Sequence, residues 1–134
     1  MMEFDWPVQV YYEDTDAGGV VYHSQYLNFM ERARTEFLRS LGLMQTKLKE
    51  EIGILFVVRD IQIRFKKPAK FDDVLNVNTK LVQVGRSLLQ FEQNIYRSAE
   101  HLITAKVDVV CIGADSFKPV SIPEPMMRLL TLST

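Results

Sequence analysis

The chain has 134 residues, a size that one domain fills, and sixteen Lys and Arg against seventeen Asp and Glu leave it a net charge of -1. That balance, without any basic run, offers nucleic acid no electrostatic footprint. The acidic N-terminus Met1-Met2-Glu3-Phe4-Asp5-Trp6-Pro7 lacks the flank and apolar core of a secretory signal, and no apolar run reaches the ~18 residues that cross a bilayer, so the expectation is one cytoplasmic domain over 1–134.

In chain order, Val8 to Tyr12 reads as a short strand. From Ser24 to Leu41, Tyr26, Met30, Ala33, Phe37 and Leu41 recur at steps of three and four, which lines one face of a long helix. Ser24 is the expected N-cap, Gly42 the stop, and Arg32 with Glu36 an i,i+4 pair. Thr46 to Ile52 reads as a short helix or a loop ending at Gly53.

After Gly53 the period falls to two. Val57, Ile61, Ile63 and Phe65 alternate with Asp60, Gln62, Arg64 and Lys66 until Pro68 closes a strand. Leu75, Val77, Thr79 and Leu81 mark a second that ends near Gly85, Leu89, Phe91 and Ile95 a third, and Ile103 to Cys111 a fourth. Cys111, the single cysteine, falls in that last run and reads as a buried, inert thiol. The tail from Ile122 to Leu130 suggests a strand end and one or two turns of helix. One strand, one long helix and a series of hairpin-connected strands give an α+β domain in the hot-dog arrangement, an antiparallel sheet wrapped around one long helix.

The densest chemistry precedes the long helix, in Tyr11-Tyr12-Glu13-Asp14-Thr15-Asp16-Ala17-Gly18-Gly19-Val20-Val21-Tyr22-His23-Ser24. Carboxylates, two glycines and a histidine meet there between a strand-like and a helix-like segment. Ala17-Gly18-Gly19 leaves little side-chain bulk beside Asp16, so a ligand can approach the backbone closely.

Tyr12 to His23, then Tyr26, then Glu31-Arg32-Ala33-Arg34-Thr35-Glu36, resemble the 4-hydroxybenzoyl-CoA thioesterase branch of the hot-dog superfamily, and within it the Tol-Pal-associated, YbgC-type acyl-CoA thioesterases. Phe56-Val57-Val58-Arg59, Phe71-Asp72-Asp73 and Lys118-Pro119 extend the likeness through the chain. The resemblance implies dimers or tetramers, acyl-CoA as substrate, an acyl carrier protein as a further candidate partner, and hydrolysis without a metal or a cofactor beyond the CoA of the substrate. It assigns the catalytic carboxylate to Asp16 and places His23 at the position associated with carbonyl activation.

Thioester hydrolysis needs a carboxylate that attacks the carbonyl or activates water, and donors for the charge that develops on oxygen. Asp16 suits either role, and unpaired N–H groups at the helix start, with the His23 imidazole, suit the second. Asp14 reads as a shaper of the loop and Glu31 as a structural partner of Arg34 and Thr35. Gly18, Gly19, Val20, Tyr22 and Tyr26 are the expected substrate contacts, with Tyr12, Tyr22 and Tyr26 divided between acyl pocket and core. Among the cations on strand ends and turns, Arg59, Arg64, Lys66, Lys67, Lys70 and Arg86, the candidates for CoA are Arg59 and Arg86, the latter as a phosphate contact or a solvated turn charge. His101 receives no role. A hot-dog hydratase or dehydratase, or an acyl-CoA or acyl-carrier binding module tied to the cell envelope, stands as the alternative.

Overall fold

The computed structural model describes residues 2–132. Strict alternation builds its first strand, β1 (Met2–Gln9): Met2, Phe4, Trp6 and Val8 are the less exposed set and Glu3, Asp5, Pro7 and Gln9 the more exposed one. Pro7 is tolerated because β1 lies at an edge of the sheet. The strand expected at Val8 to Tyr12 therefore lies further upstream. The chain leaves the sheet after Gln9, and Tyr12–Asp14 form a single 3-10 turn.

Helix α1 (His23–Ser40) follows the predicted stripe and widens it, burying Phe29, Arg34 and Leu38 beside Tyr26, Met30, Ala33 and Phe37. Its N-cap is Tyr22 rather than Ser24, with no side chain bonded to the first turn. Gly42 does end it: the Gly42 N–H donates to Arg39 O (2.9 Å) and the Leu43 N–H to Leu38 O (2.9 Å), the paired bonds of a Schellman stop. Glu36 pairs with Arg39 (2.7 Å) in place of the expected Arg32. A turn of helix, α2 (Gln45–Lys47), then runs into a wider turn, Leu48–Ile52, which stops at Gly53.

Four strands complete the sheet: β2 (Ile54–Phe65), β3 (Val74–Val84), β4 (Leu88–Arg97) and β5 (Glu100–Gly113), all antiparallel in the order β1-β3-β4-β5-β2. A last helix, α3 (Glu124–Thr131), packs Met126 and Leu130 onto the core, and Ile122 before it lies outside any strand. The sheet curves around α1, the hot-dog arrangement. Phe29, Phe37 and Phe91 are nearly or fully buried between the layers, each such side chain stabilising by about 2–3 kcal/mol through area removed from water. Burial raises the Cys111 thiol above its ordinary pKa and disfavours the thiolate.

Strand β2 is interrupted once. Phe56 pairs with Cys111 and Val58 with Val109, but the register then skips Arg59, and Ile61 pairs with Val107 and Ile63 with Ala105. A bulge at Arg59 therefore reverses the parity of the strand: Ile54, Phe56 and Val58 face the helix before it, and Ile61, Ile63 and Phe65 after it. Val57, expected to face inward, lies on the outer side of the sheet and is exposed for this reason.

Candidate active site

The loop before α1 is a small hairpin closed by a Thr15–Val21 bridge. At its tip the Asp16 N–H donates to Val20 O (3.0 Å) and the Gly19 N–H donates back to Asp16 O (3.0 Å). The Asp16 side chain completes the turn, with Oδ1 accepting the Gly18 N–H at 2.8 Å. Gly19 is required by its φ of +80, where a side chain is strained, and a Cβ on Gly18 would stand 3.1 Å from Asp16 Oδ1, so the carboxylate would have to shift. Asp16 is exposed, with its second oxygen uncommitted.

Asp14 is buried and takes the structural part expected of it: its Oδ2 accepts the Tyr11 N–H at 2.9 Å. The Val21 N–H donates to Ala69 O and the Tyr22 N–H to Asp14 O (both 2.9 Å), which fixes the point where the loop enters α1. His23 is the first residue of the helix. Its N–H and that of Ser24 have no acceptor within the helix, so they point the positive end of the helix dipole outward from the turn that follows Asp16.

The cleft beside this helix start has a volume of about 280 Å³, and Val21, His23, Tyr26, Phe65, Lys66 and Pro68 are among its lining residues. Tyr26 supplies its floor. The phenol is buried and its oxygen accepts the Ala69 N–H (2.9 Å), and desolvation raises its pKa, so it is a neutral wall with one lone pair committed. Phe65 closes the side, its ring 5.7 Å from Tyr26 and 6.5 Å from His23. Tyr22 is half exposed and tilts against His23, with ring centres 4.5 Å apart. Tyr12 is exposed and meets Phe71 edge-on, away from the cleft lining.

A polar brace holds the far wall. Lys66 Nζ lies 3.1 Å from His101 Nδ1, while His101 Nε2 lies 2.8 Å from Asn94 Oδ1 and the ring stacks on Tyr96. Arg97 joins Asp73 and Glu100 (both 2.6 Å) and so ties the Pro68–Asp73 loop to the β4–β5 turn. Its hydrogen bond to Glu100, and then that to Asp73, raise the guanidinium pKa above its ordinary value. His101, given no role from the sequence, thus positions a cleft lysine.

The expected contacts are only partly assembled within one chain. Asp16, Gly18, Gly19, Val20 and Tyr22 lie on the hairpin that leads into α1, and His23 and Tyr26 on that helix line the cleft beside it. Arg59 sits at the β2 bulge, its guanidinium 3.7 Å from Asp108 and well exposed. Arg86 is at the opposite end of the sheet, in the β3–β4 turn, with Nε donating to Ser121 Oγ (2.7 Å). The 12 residues of β2 span roughly 35–40 Å between those ends, so the Arg86 of a chain does not reach its own Asp16.

Residues 10–130 match the model of the thioesterase-like superfamily. The chain belongs to that superfamily. Among its members, the acyl-CoA thioesterase YbgC of Haemophilus influenzae is 48% identical over 121 residues, covering 90% of this chain and 89% of that protein. The acyl-CoA thioester hydrolase YbgC of Escherichia coli O6:H1 is 43% identical over 125 residues, covering 92% of each. Among solved structures, a probable thioesterase from Bartonella henselae superimposes with a TM-score of 0.87 at 38% identity, over 91% of this chain and all 100% of that one. A 1,4-dihydroxy-2-naphthoyl-CoA thioesterase from Synechocystis gives 0.90 at 28% identity over 99% of both. No helix among the described residues of this superfamily member is long and apolar enough to cross a membrane.

Sequence reasoning passed over two parts of this thioesterase-like site. Phe65 appeared as a core residue, whereas it is half exposed and forms a wall. Arg34 appeared as a local partner of Glu31, whereas it is buried, with Nη1 donating to Gln93 Oε1 at 2.9 Å. Its charge sets it with the residues off the apolar stripe, but its spacing carries the signal: Arg34 lies four residues after Met30 and three and four before Phe37 and Leu38, all buried.

Proposed function

We infer that this chain hydrolyses acyl-CoA thioesters to CoA and the free acid, with Asp16 as nucleophile or general base and the start of α1 polarising the thioester oxygen. The observation that carries this reading is the exposed Asp16 carboxylate, pinned at one oxygen by Gly18 and set before a helix whose first N–H groups are unpaired. The negative oxygen formed as the carbonyl is attacked is met by main-chain N–H groups, with the His23 imidazole as a further donor or proton carrier. Water adds across the thioester bond to give the CoA thiol and the free acid, and the proposal assigns activation of the attack to Asp16 and stabilisation of the oxyanion to the helix start, with no metal and no cofactor besides the CoA of the substrate.

His23→Ala keeps the main-chain donor and removes only the ring, so turnover is expected to fall by about tenfold, less than on loss of the carboxylate. Unchanged turnover in a thiol-release assay assigns the contribution of this residue to its backbone alone.

The proposal includes a second copy of the chain. β2 is an edge strand with Val57, Val58 and Phe65 exposed, a surface that a paired strand would cover. Antiparallel pairing of β2 with itself over its full length sets Ile61 against the partner's Val58, Ile63 against the partner's Phe56 and Phe65 against the partner's Ile54. Each of these pairs is inward-facing on both sides, because the Arg59 bulge reverses parity midway. The same pairing carries the partner's Arg86 to the end of the sheet where Asp16 lies.

Arg86→Ala is accordingly expected to raise KM for acyl-CoA with kcat preserved, since a phosphate contact remote from the thioester binds ground and transition states alike. An equal rise for an acyl-pantetheine, which lacks the nucleotide phosphates, removes Arg86 from phosphate recognition. We further propose a dimer of such dimers as the full assembly and a cytoplasmic location. The motif resemblance to Tol-Pal-associated enzymes supports an envelope-linked role with acyl-carrier-protein thioesters as further substrates.

A further inference from the structure

Arg34 carries a positive charge into the protein with no carboxylate to meet it. Its side chain is 7% exposed, and buried guanidinium groups are ordinarily paired, because taking such a charge out of water is costly. Among the described residues no acidic oxygen lies within ion-pair distance of it. Gln93 takes only Nη1, and the Gln93 amide is itself committed, Nε2 donating to Met30 O (3.0 Å) and Thr79 Oγ1 (2.8 Å). Glu31, one turn earlier, acts on Arg34 through its field, while its Oε1 accepts the Thr35 hydroxyl at 3.3 Å. Burial lowers the Arg34 pKa to about 10, which leaves it cationic at neutral pH.

A cavity opens directly at this group. It has a volume of about 100 Å³ between α1 and the sheet, and its lining includes Arg34, Leu38, Phe56, Val58 and Phe91 together with Glu31. Apolar side chains form one part of the wall and Arg34 another, and the Glu31 carboxylate at the rim is held by the Thr35 hydroxyl. Nε and Nη2 of Arg34 have no protein partner among the described residues, and together they form the fork that matches a carboxylate. The volume equals that of roughly three liquid waters, enough for a short carbon chain with a terminal group.

When β2 pairs with its own copy, this cavity adjoins the partner's cleft, since Phe56 and Val58 stand beside the partner's Ile63 and the partner's Ile61. We propose that the partner's Arg34 receives the distal carboxylate of the acyl group, making the enzyme selective for CoA half-thioesters of short dicarboxylic acids. This rests on the paired-strand reading of the site. The scissile thioester stays with Asp16 and His23 of one chain while the far end of the acyl group enters the other.

The test compares succinyl-CoA with butyryl-CoA, which share a four-carbon acyl chain and differ in a terminal carboxylate against a methyl. The wild-type enzyme is expected to favour succinyl-CoA by at least ~10-fold in kcat/KM, and Arg34→Met to bring the ratio to about one. Arg34→Lys, which keeps the charge but loses the fork, should retain part of the preference, and it is read on the same ratio if the Met variant does not fold. A wild-type preference for butyryl-CoA, or a ratio unmoved by either variant, overturns the proposal and leaves Arg34 a structural charge.

Co-expressed, differently tagged Asp16→Asn and Arg34→Met chains decide which chain supplies the group. The mixed dimer then holds one site with Asp16 and the partner's Arg34 both intact, and succinyl-CoA selectivity should return. Selectivity lost in Arg34→Met and not restored in the mixed dimer overturns the assignment to the partner and with it the shared-site reading.

Discussion

Replacing Asp16 by Asn is expected to lower kcat by at least ~100-fold while the protein remains folded. The amide keeps a carbonyl oxygen that can accept the Gly18 N–H, so the turn retains its 2.8 Å closure. What the substitution removes is the anion, and with it both routes open to this residue, direct attack on the carbonyl and activation of water. Free-thiol release from acyl-CoA measures the loss, and circular dichroism checks the fold. Turnover close to that of the parent enzyme would take Asp16 out of the mechanism.

Val58→Glu addresses the other half of the site with an effect of similar size. Val58 is 45% exposed in the single chain, so a carboxylate there costs the isolated fold little. In the paired strands it lies against the partner's Ile61, within an apolar seam, and the two-fold axis brings two such charges into the same interface. The variant should sediment as a folded monomer and lose at least ~100-fold in kcat/KM, because each cleft then lacks its partner wall. Light scattering and activity measured on the same sample provide the check. A fully active monomer would falsify the shared-site reading.

The long helix is legible because its apolar stripe runs over five turns with a glycine at the end, and β3, β4 and β5 because apolar residues recur at every second position through most of each strand, with register shifts only after Leu81 and Ile95. β1 carries an equally clear alternation from Met2 to Gln9, but its acids and Pro7 mask it until the strand is known to lie on an edge, where Pro7 is tolerated. The parity change in β2 could not be read: Arg59 looks like any solvent-facing strand residue, and a bulge depends on pairing with β5. The loop from Asp14 to His23 was legible at residue level because turn chemistry is local. Asp14 caps, Asp16 turns and Gly19 takes the left-handed conformation, as those residue types do elsewhere. The separation of Arg86 from Asp16 was not legible, since proximity across a sheet is set by topology rather than by spacing along the chain.

The bulge at Arg59 also bears on what the open edge of β2 presents. A twelve-residue edge strand carrying exposed valines would accept almost any extended segment as a neighbour, and such promiscuity leads to aggregation. The skipped residue does not itself break step with a regular strand: Ala105, Val107, Val109 and Cys111 of β5 meet inward residues of β2 on both sides of it. What it supplies is a local bend and an exposed guanidinium in the middle of an otherwise apolar margin, two of the devices by which sheets blunt an open edge. Arg59 thus stands as a gatekeeper on that edge.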